Sequence, residues 1–286
     1  MARDFTICVV SPPDYRHVLA FAELAEALLQ ALEELGHAAA VTWDPAAAVE
    51  GRAIVLAPHL IPHAGWTPPP GAVLYNLEQA ADSNEWFTPA YRDLLRRHEV
   101  WDYAQGNLAF LAGLGIAARL VPIGYAPCLA RIAPAATEDI DVLAYGTMSD
   151  RRIAVLDALR RRGLKVVRLF NVYGARRDSY IARAKIVLNI HTYEARLFEI
   201  VRVSYLLANG RCVVSEEGSD AALEAPYRDA VTFSPYEALV DATLALAADP
   251  EARARRAEAG RAIFGRHRQS DFLAPVVGRK PAAPTP

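Results

Sequence analysis

The sequence predicts an α/β protein in two parts, each made of parallel strands alternating with helices. Three observations carry that reading. Short apolar runs such as Phe5 to Val10, Ile186 to Ile190 and Arg211 to Ser215 suit strands buried on both faces, as in parallel sheets. Amphipathic stretches of helical period lie between such runs. The alternation is interrupted once, at Leu120 to Pro127, where Pro122, Gly124 and Pro127 forbid a helix and the following Arg131 to Asp139 has no apolar period. The boundary is therefore placed near residue 125, with 126–138 as linker. The predicted parts are 1–125 and 126–270, followed by a proline-rich flexible tail at 271–286.

The first part opens as strand, helix and strand: Phe5 to Val10, His17 to Leu35 and Ala38 to Thr42, with Gly36 ending the helix. Ser11-Pro12-Pro13-Asp14 breaks the first strand and lacks the glycine fingerprint of dinucleotide binding, so NAD-type chemistry has little support. Ala53 to Leu56 and Ala72 to Tyr75 are further strands. His59 and His63 between them have the i, i+4 spacing of metal ligands on a helix. Pro58 and Pro62 argue against a helix there, and a loop with solvated histidines is expected. Glu78 follows the Tyr75 strand and is the best-placed carboxylate of this part for general-base work, with a surface charge as the equal alternative. Thr88-Pro89 starts a helix through Arg97, with threonine as cap and proline in the first turn. Val100 to Tyr103 is a strand, and a helix runs from about Gln105 to Leu114.

The second part restarts at the strand Asp141 to Tyr145. Gly146 to Arg152 forms the loop and first turn before a helix over Ile153 to Arg162. Gly146 would let a ligand approach the backbone. Arg151 and Arg152 lie at a helix end that is already positive, a conflict that a bound anion would remove; at least one of them is expected to point at water. A strand at Lys165 to Phe170 leads into Asn171-Val-Tyr173-Gly174, and a short helix is expected at Ser179 to Ala184. After Gly218, Asp220 can cap a turn to Glu224. The strand Ala230 to Phe233 follows, then helices over Tyr236 to Ala248 and from Asp249-Pro250 to Phe264.

Residues 185–218 organise this second part. The strand Ile186 to Ile190 leads into His191-Thr192-Tyr193-Glu194, and a helix is expected from about Glu194 to Ala208, ended by Asn209-Gly210. The polar residues fall between strand end and helix start, where open α/β sheets bind ligands and where free helix amides suit a phosphate.

Phe198-Glu199, the apolar helix, Asn209-Gly210 and Cys212-Val-Val-Ser-Glu216 resemble the donor-site segment of GT-B glycosyltransferases, in particular the spore-maturation (CgeB-type) and bacterial "family 1" group. The resemblance implies two Rossmann-like domains with parallel sheets facing a central cleft, the first taking the acceptor and the second a nucleotide sugar. It implies that Glu199 holds the donor ribose. In the retaining members an earlier glutamate stands eight positions before it, where this chain has His191. The implied donor residues are Gly146, Arg151, Arg152, Asn171, Tyr173, His191, Thr192, Tyr193, Glu194, Phe198 and Glu199, with Asn171 and Tyr173 near the base. Asp14, His17 and Glu78 are the acceptor-side candidates, and Asp14, Glu78 and His191 the catalytic ones. A base among Asp14, His17 and Glu78 implies inversion by direct displacement; without one, a retaining route remains. His191 is expected to donate a hydrogen bond to sugar or phosphate.

Composition limits the alternatives. A net charge of −2 gives no electrostatic case for nucleic acid or an anionic membrane. The three cysteines, Cys8, Cys128 and Cys212, have no metal-ligand spacing. No apolar run reaches membrane-spanning length, no signal-peptide pattern opens the chain, and a cytoplasmic protein without cofactor or metal is expected. The acceptor and the oligomeric state are left open. A non-catalytic nucleotide or sugar-nucleotide binding module of the same fold is the second reading, and a sugar-nucleotide epimerase the third.

Overall fold

The computed structural model describes residues 3–44 and 49–280, in two compact units. The first unit comprises the chain through Leu129 together with the chain from His267 onward; the second is Ala130–Arg266.

In the first unit β1 (Phe5–Val9), α1 (Ala22–Glu34) and β2 (Ala39–Thr42) form the opening, and a 3-10 turn at Arg16–Phe21 leads into α1. β3 (Arg52–Leu56), α2 (Ile61–Ala64), β4 (Val73–Asn76), α3 (Pro89–Arg96), β5 (Glu99–Asp102), α4 (Gln105–Gly113) and β6 (Ala118–Leu120) follow. The strands form one parallel sheet in the order β2-β1-β3-β4-β5-β6. β1, β3 and β4 are almost wholly buried, which is why they read as unbroken apolar runs.

The second unit repeats the plan with β7 (Ile140–Tyr145), α5 (Asp150–Arg161), β8 (Val166–Leu169), α6 (Gly174–Arg183) and β9 (Ala184–Asn189). It continues through α7 (Ile200–Ala208), β10 (Val213–Glu216), α8 (Ala221–Glu224), β11 (Val231–Ser234), α9 (Leu239–Ala248) and α10 (Pro250–Gly265). Its five parallel strands run β11-β10-β9-β7-β8. Val142, Ile186 and Val214 of the sheet pack with Leu156 of α5 and Leu239 of α9 to form the core.

The last helix, α11 (Gln269–Val277), belongs to the first unit and packs on α1. The stretch from 271, expected to be a flexible tail, is thus helical to Val277, with Leu273 fully buried. The Arg268 guanidinium donates to Glu34 at 2.6 Å, and the Lys280 amide donates to the Leu35 carbonyl at 3.0 Å. The Gly124 amide donates to the Gln269 side chain at 2.7 Å, and the Gln269 amide to Tyr125 at 2.8 Å. A Cβ on Gly124 would lie 2.7 Å from the Gln269 nitrogen, so only glycine permits this approach. Residues 281–286 of the predicted tail lie outside the described residues.

Three local expectations need correction. The proline-rich connection is not an open loop. Pro58 and Pro62 occupy the first turns of a 3-10 turn at Pro58–Leu60 and of α2, where a missing N–H costs nothing. His59 is consequently buried, while His63 is exposed. α6 starts at Gly174, not Ser179: Arg177 is buried and lays its guanidinium 4.9 Å from the Tyr205 ring, so these polar residues are helical rather than loop. α7 starts at Ile200, not Glu194. Phe198 is drawn into an aromatic cluster with Tyr227 and Phe233, and the Arg196 carbonyl accepts the Ser219 amide, so tertiary contacts hold 191–199 out of the helix. Among the described residues no helix is long and apolar enough to cross a membrane.

Candidate functional site

In the second unit the chain leaves β7 for β8 on one side and returns to β9 on the other. β7 and β9 therefore flank a topological switch point, and the loops after them part at the carboxyl ends of the strands, where open α/β sheets bind ligands. The loop after β7 carries Gly146 and enters α5; the loop after β9 carries 190–199 and enters α7.

Arg152 joins the two loops. It is 4 % exposed, donates from Nε to the Ile190 carbonyl at 2.7 Å and from Nη1 to the Thr147 carbonyl at 2.7 Å, and meets Glu199 Oε1 from Nη2 at 3.0 Å. Burial brings its guanidinium down to about 10 against the pull of Glu199, so it stays charged at neutral pH. Glu199 stands at the N-cap position of α7, and its other oxygen meets Arg202 Nη1 at 2.8 Å. Burial opposes ionisation of this carboxyl, but Arg202 and then Arg152 outweigh it and hold it below the usual glutamate range. A carboxylate has about four lone-pair directions, so a Glu199 that accepts one bond per oxygen retains room for two hydroxyl donors. Arg202 was not among the residues expected at the site. In the fold it also reaches Asn189 Oδ1 at 3.2 Å and lies 5.5 Å from the Tyr145 ring. Its i, i+3 spacing from Glu199 was the one available signal.

Gly146 serves this cluster in a way its sequence did not suggest. With φ of 109° and an added Cβ only 2.9 Å from Arg202 Nη2, its bare backbone accommodates a guanidinium of the protein itself.

A second ion pair stands beside the first. Arg151 meets Glu216 through both guanidinium nitrogens, at 2.6 and 3.2 Å, donates to the His191 carbonyl at 2.9 Å and lies 4.2 Å from the Tyr236 ring. It is thus committed to the protein, although 41 % of its side chain is exposed. The Glu216 bond raises its pKa further. Glu216 is 1 % exposed, and its carboxylate is taken up by Arg151 and the His191 amide.

His191 is fully buried. Its amide donates to Glu216 Oε2 at 3.0 Å, and its Nε2 lies 3.1 Å from the Glu216 carbonyl, which can only accept. Burial pushes its pKa down despite Glu199 and Glu216, so the ring is neutral with the hydrogen on Nε2. Nδ1 then carries a lone pair, has no hydrogen-bond partner and lies 4.0 Å from Glu199 Oε1. The expected donor role is therefore reversed, since the one N–H is spent and the ring can only accept. Two hydroxyls nearby, Ser149 Oγ at the start of α5 and Thr192 Oγ1, are likewise buried without a partner.

Other predicted residues are placed differently. Phe198 is fully buried in the aromatic cluster, so its ring is core and not a ligand contact. Glu194 is exposed in a turn closed by the Arg196 amide on the Tyr193 carbonyl at 3.2 Å, so it carries no helix-end charge. Of the α7 amides expected to be free, Ile200 donates to Phe198 and Arg202 to Glu199. Asn171, exposed with φ of 55°, and half-buried Tyr173 lie between β8 and α6. In the first unit Asp14 is exposed with φ of 61°, His17 sits 5.3 Å from the Tyr15 ring, and Glu78 follows β4 with only 13 % of its side chain exposed.

Residues 129–271, half of the chain, match the family described as Glycosyl transferase-like. The chain belongs to that family. This glycosyl transferase-like chain is 28 % identical over 183 residues to the uncharacterized protein L140 of Acanthamoeba polyphaga mimivirus, covering 60 % of this chain and 58 % of that one. Protein L138 of the same virus is 34 % identical over 106 residues, covering 36 % of this chain and 12 % of that one. The chain thus spans 58 % or less of the length of these curated relatives.

The two-unit parallel architecture is that of GT-B glycosyltransferases. AviGT4, a glycosyltransferase involved in avilamycin A biosynthesis, superposes with a TM-score of 0.59 at 17 % identity, covering 94 % of this chain and 96 % of that one. Sucrose-phosphate synthase of Thermosynechococcus elongatus gives 0.64 at 12 % identity, covering 96 % and 97 %. Anabaena HepE gives 0.62 at 11 % identity, covering 95 % and 97 %.

Proposed function

We propose that the protein is a glycosyltransferase that moves a sugar from a nucleoside diphosphate sugar, bound by the second unit, to an acceptor bound by the first. The observation that carries this reading is Glu199, a carboxylate with 14 % of its side chain exposed, held ionised between Arg152 and Arg202 at the switch point. Its remaining lone pairs suit the two hydroxyls of a ribose. The diphosphate goes to the loop from Gly146 to Ser149 and the start of α5, where Arg202, the helix dipole and the unpartnered Ser149 and Thr192 hydroxyls supply positive charge and donors. These groups can stabilise the charge that develops on the leaving diphosphate, so the reaction is assigned without a metal. His191 Nδ1 accepts from a donor hydroxyl. Anabaena HepE was solved with UDP and glucose, which makes uridine diphosphate sugars the first donors to try.

The test is a panel of nucleotide sugars with detection of free nucleoside diphosphate. Slow release, even to water alone, is expected for at least one donor. Tight binding with no release from any of them would overturn transfer and leave a binding module.

A further inference from the structure

Beside Arg202 the second unit carries a ladder of rings and guanidiniums. Tyr145 ends β7, one residue before Gly146. Its ring is half-buried, with the Arg202 guanidinium 5.5 Å from its centroid and the Arg177 guanidinium 5.9 Å from it. Arg177, on α6 and 5 % exposed, also lies 4.9 Å from the ring of Tyr205 on α7. Arg131 lies 5.4 Å from that same ring. Cations and π faces thus alternate from Arg202 through Tyr145, Arg177 and Tyr205 to Arg131.

The far steps of the ladder are pinned by hydrogen bonds. Arg177 donates to Asp178 Oδ1 from Nε at 3.1 Å and from Nη2 at 2.8 Å, and the Tyr205 hydroxyl donates to Asp178 Oδ2 at 2.8 Å. Arg131 Nε donates to the Tyr205 oxygen at 3.0 Å. Burial, against the pull of Arg131, raises the pKa of Tyr205, so the phenol keeps its proton and remains a donor to Asp178. Asp178 also offsets the charge of Arg177, so a second cation beside the Tyr145 ring does not drive Arg202 away.

Arg202 is held in another way. Its Nη1 meets Glu199 Oε2 at 2.8 Å and Asn189 Oδ1 at 3.2 Å, while Nη2 lies beside the Gly146 backbone. A long side chain has rotamer freedom to lose on being fixed, and each contact made before a ligand arrives reduces that loss. A π face attracts a guanidinium through the ring quadrupole and takes up none of its N–H groups. Ring contact therefore fixes the cation and leaves its remaining donors to the oxygens of an anion.

We propose that Tyr145 and Arg177 are positioning residues for Arg202, holding its guanidinium by ring contact so that its Nη2 edge is left to the diphosphate of the donor. The inference rests on the reading that the second unit binds a nucleoside diphosphate, and it adds two residues that act through Arg202. Tyr145 acts on that guanidinium directly. Arg177, locked by Asp178, fixes the Tyr145 ring.

The full chain is titrated by calorimetry with uridine, thymidine, cytidine, adenosine and guanosine diphosphates, and the tightest binder is carried forward. Tyr145→Leu should weaken it by about 10-fold, and Tyr145→Phe, which keeps the ring, should recover most of that loss. Arg177→Met should weaken it by about 3-fold; Arg177→Lys, which keeps the charge and loses the planar stack, decides the matter where Arg177→Met does not fold. Arg202→Met alone should cost about 30-fold. In that background Tyr145→Leu should cost less than about 2-fold more, because the residue through which it acts is gone. A ring that merely stabilised the fold would give the same loss in both backgrounds. Equal losses there, or an unchanged affinity in Tyr145→Leu, would overturn the inference while the donor reading stands. A parent chain that binds none of these diphosphates would remove the donor reading and this inference with it.

Discussion

The two units place opposite chemistries on the same topology. Both fold as parallel sheets with a switch point at the strand ends. In the second unit that point is filled by charge: Arg151, Arg152 and Arg202 against Glu199 and Glu216, with a buried histidine between them. In the first it is lined by rings, Tyr15, His59, His63 and Trp86, beside the carboxylate of Glu78. The same topology thus presents a charged cluster in one unit and a ring-lined one in the other, and the loop residues make the difference. Paired guanidiniums and carboxylates, already desolvated and oriented, suit an anion with hydroxyls attached.

The sharpest way to break the comparison is Arg152→Ala. This change strips Glu199 of one partner and leaves the Ile190 and Thr147 carbonyls without their donor. Breaking a buried pair from one side costs about 3–5 kcal/mol, to be read as a fall in the urea midpoint. A loss under about 1 kcal/mol would mean that the charges are solvated and the contrast is false. Gly146→Ala should cost about 1–3 kcal/mol through its φ of 109°, and it should weaken nucleotide binding by displacing Arg202. Unchanged stability and affinity would remove Arg202 from the phosphate site.

Glu199→Gln keeps the shape and removes the charge. Nucleoside diphosphate affinity by calorimetry should fall by about 10-fold, the worth of a charge-assisted hydrogen bond to ribose. An affinity equal to the parent's would rule out ribose recognition there.

The last effect is expected in the first unit and is read against pH. Burial raises Asp102 to about 7, against the hydrogen bonds from Asn76, the Ala104 amide and Asn107. Its folded pKa lies above the unfolded value near 3.8, so the folded state binds the extra proton between the two. The contribution is fully present below about pH 4 and is lost as pH rises to about 7, at no more than about 1.4 kcal/mol per pH unit. Asp102→Asn should flatten that slope in denaturation midpoints taken from pH 4 to 7. An unchanged slope would place the titration elsewhere.

Much of the architecture was legible because it depends on near neighbours. Thr88 caps α3 by accepting the Tyr91 amide at 3.2 Å, and Asp249 caps α10 by accepting the Ala252 amide at 2.8 Å, each with proline in the first turn as the sequence indicated. The site was legible only in outline. Glu199, Arg152 and His191 were picked out, yet their roles followed from contacts across the sheet. Phe198 belongs by sequence to the donor-site motif, yet Tyr227 and Phe233 pack on it and make it core. His59 had looked solvated because two prolines beside it suggested a loop, and both fit the first turns of short helices instead.

The amino-acid order alone determined the alternation of strand and helix and the parallel character of both sheets. Those follow from apolar periodicity, capping and turn chemistry, which act over a few residues. Only the tertiary structure decided which charges are partners: Arg152 with Glu199, Arg151 with Glu216. The members of each pair lie far apart along the chain. They meet because the strand order of each sheet brings their loops to one edge, and burial there makes an unpaired charge too costly to leave.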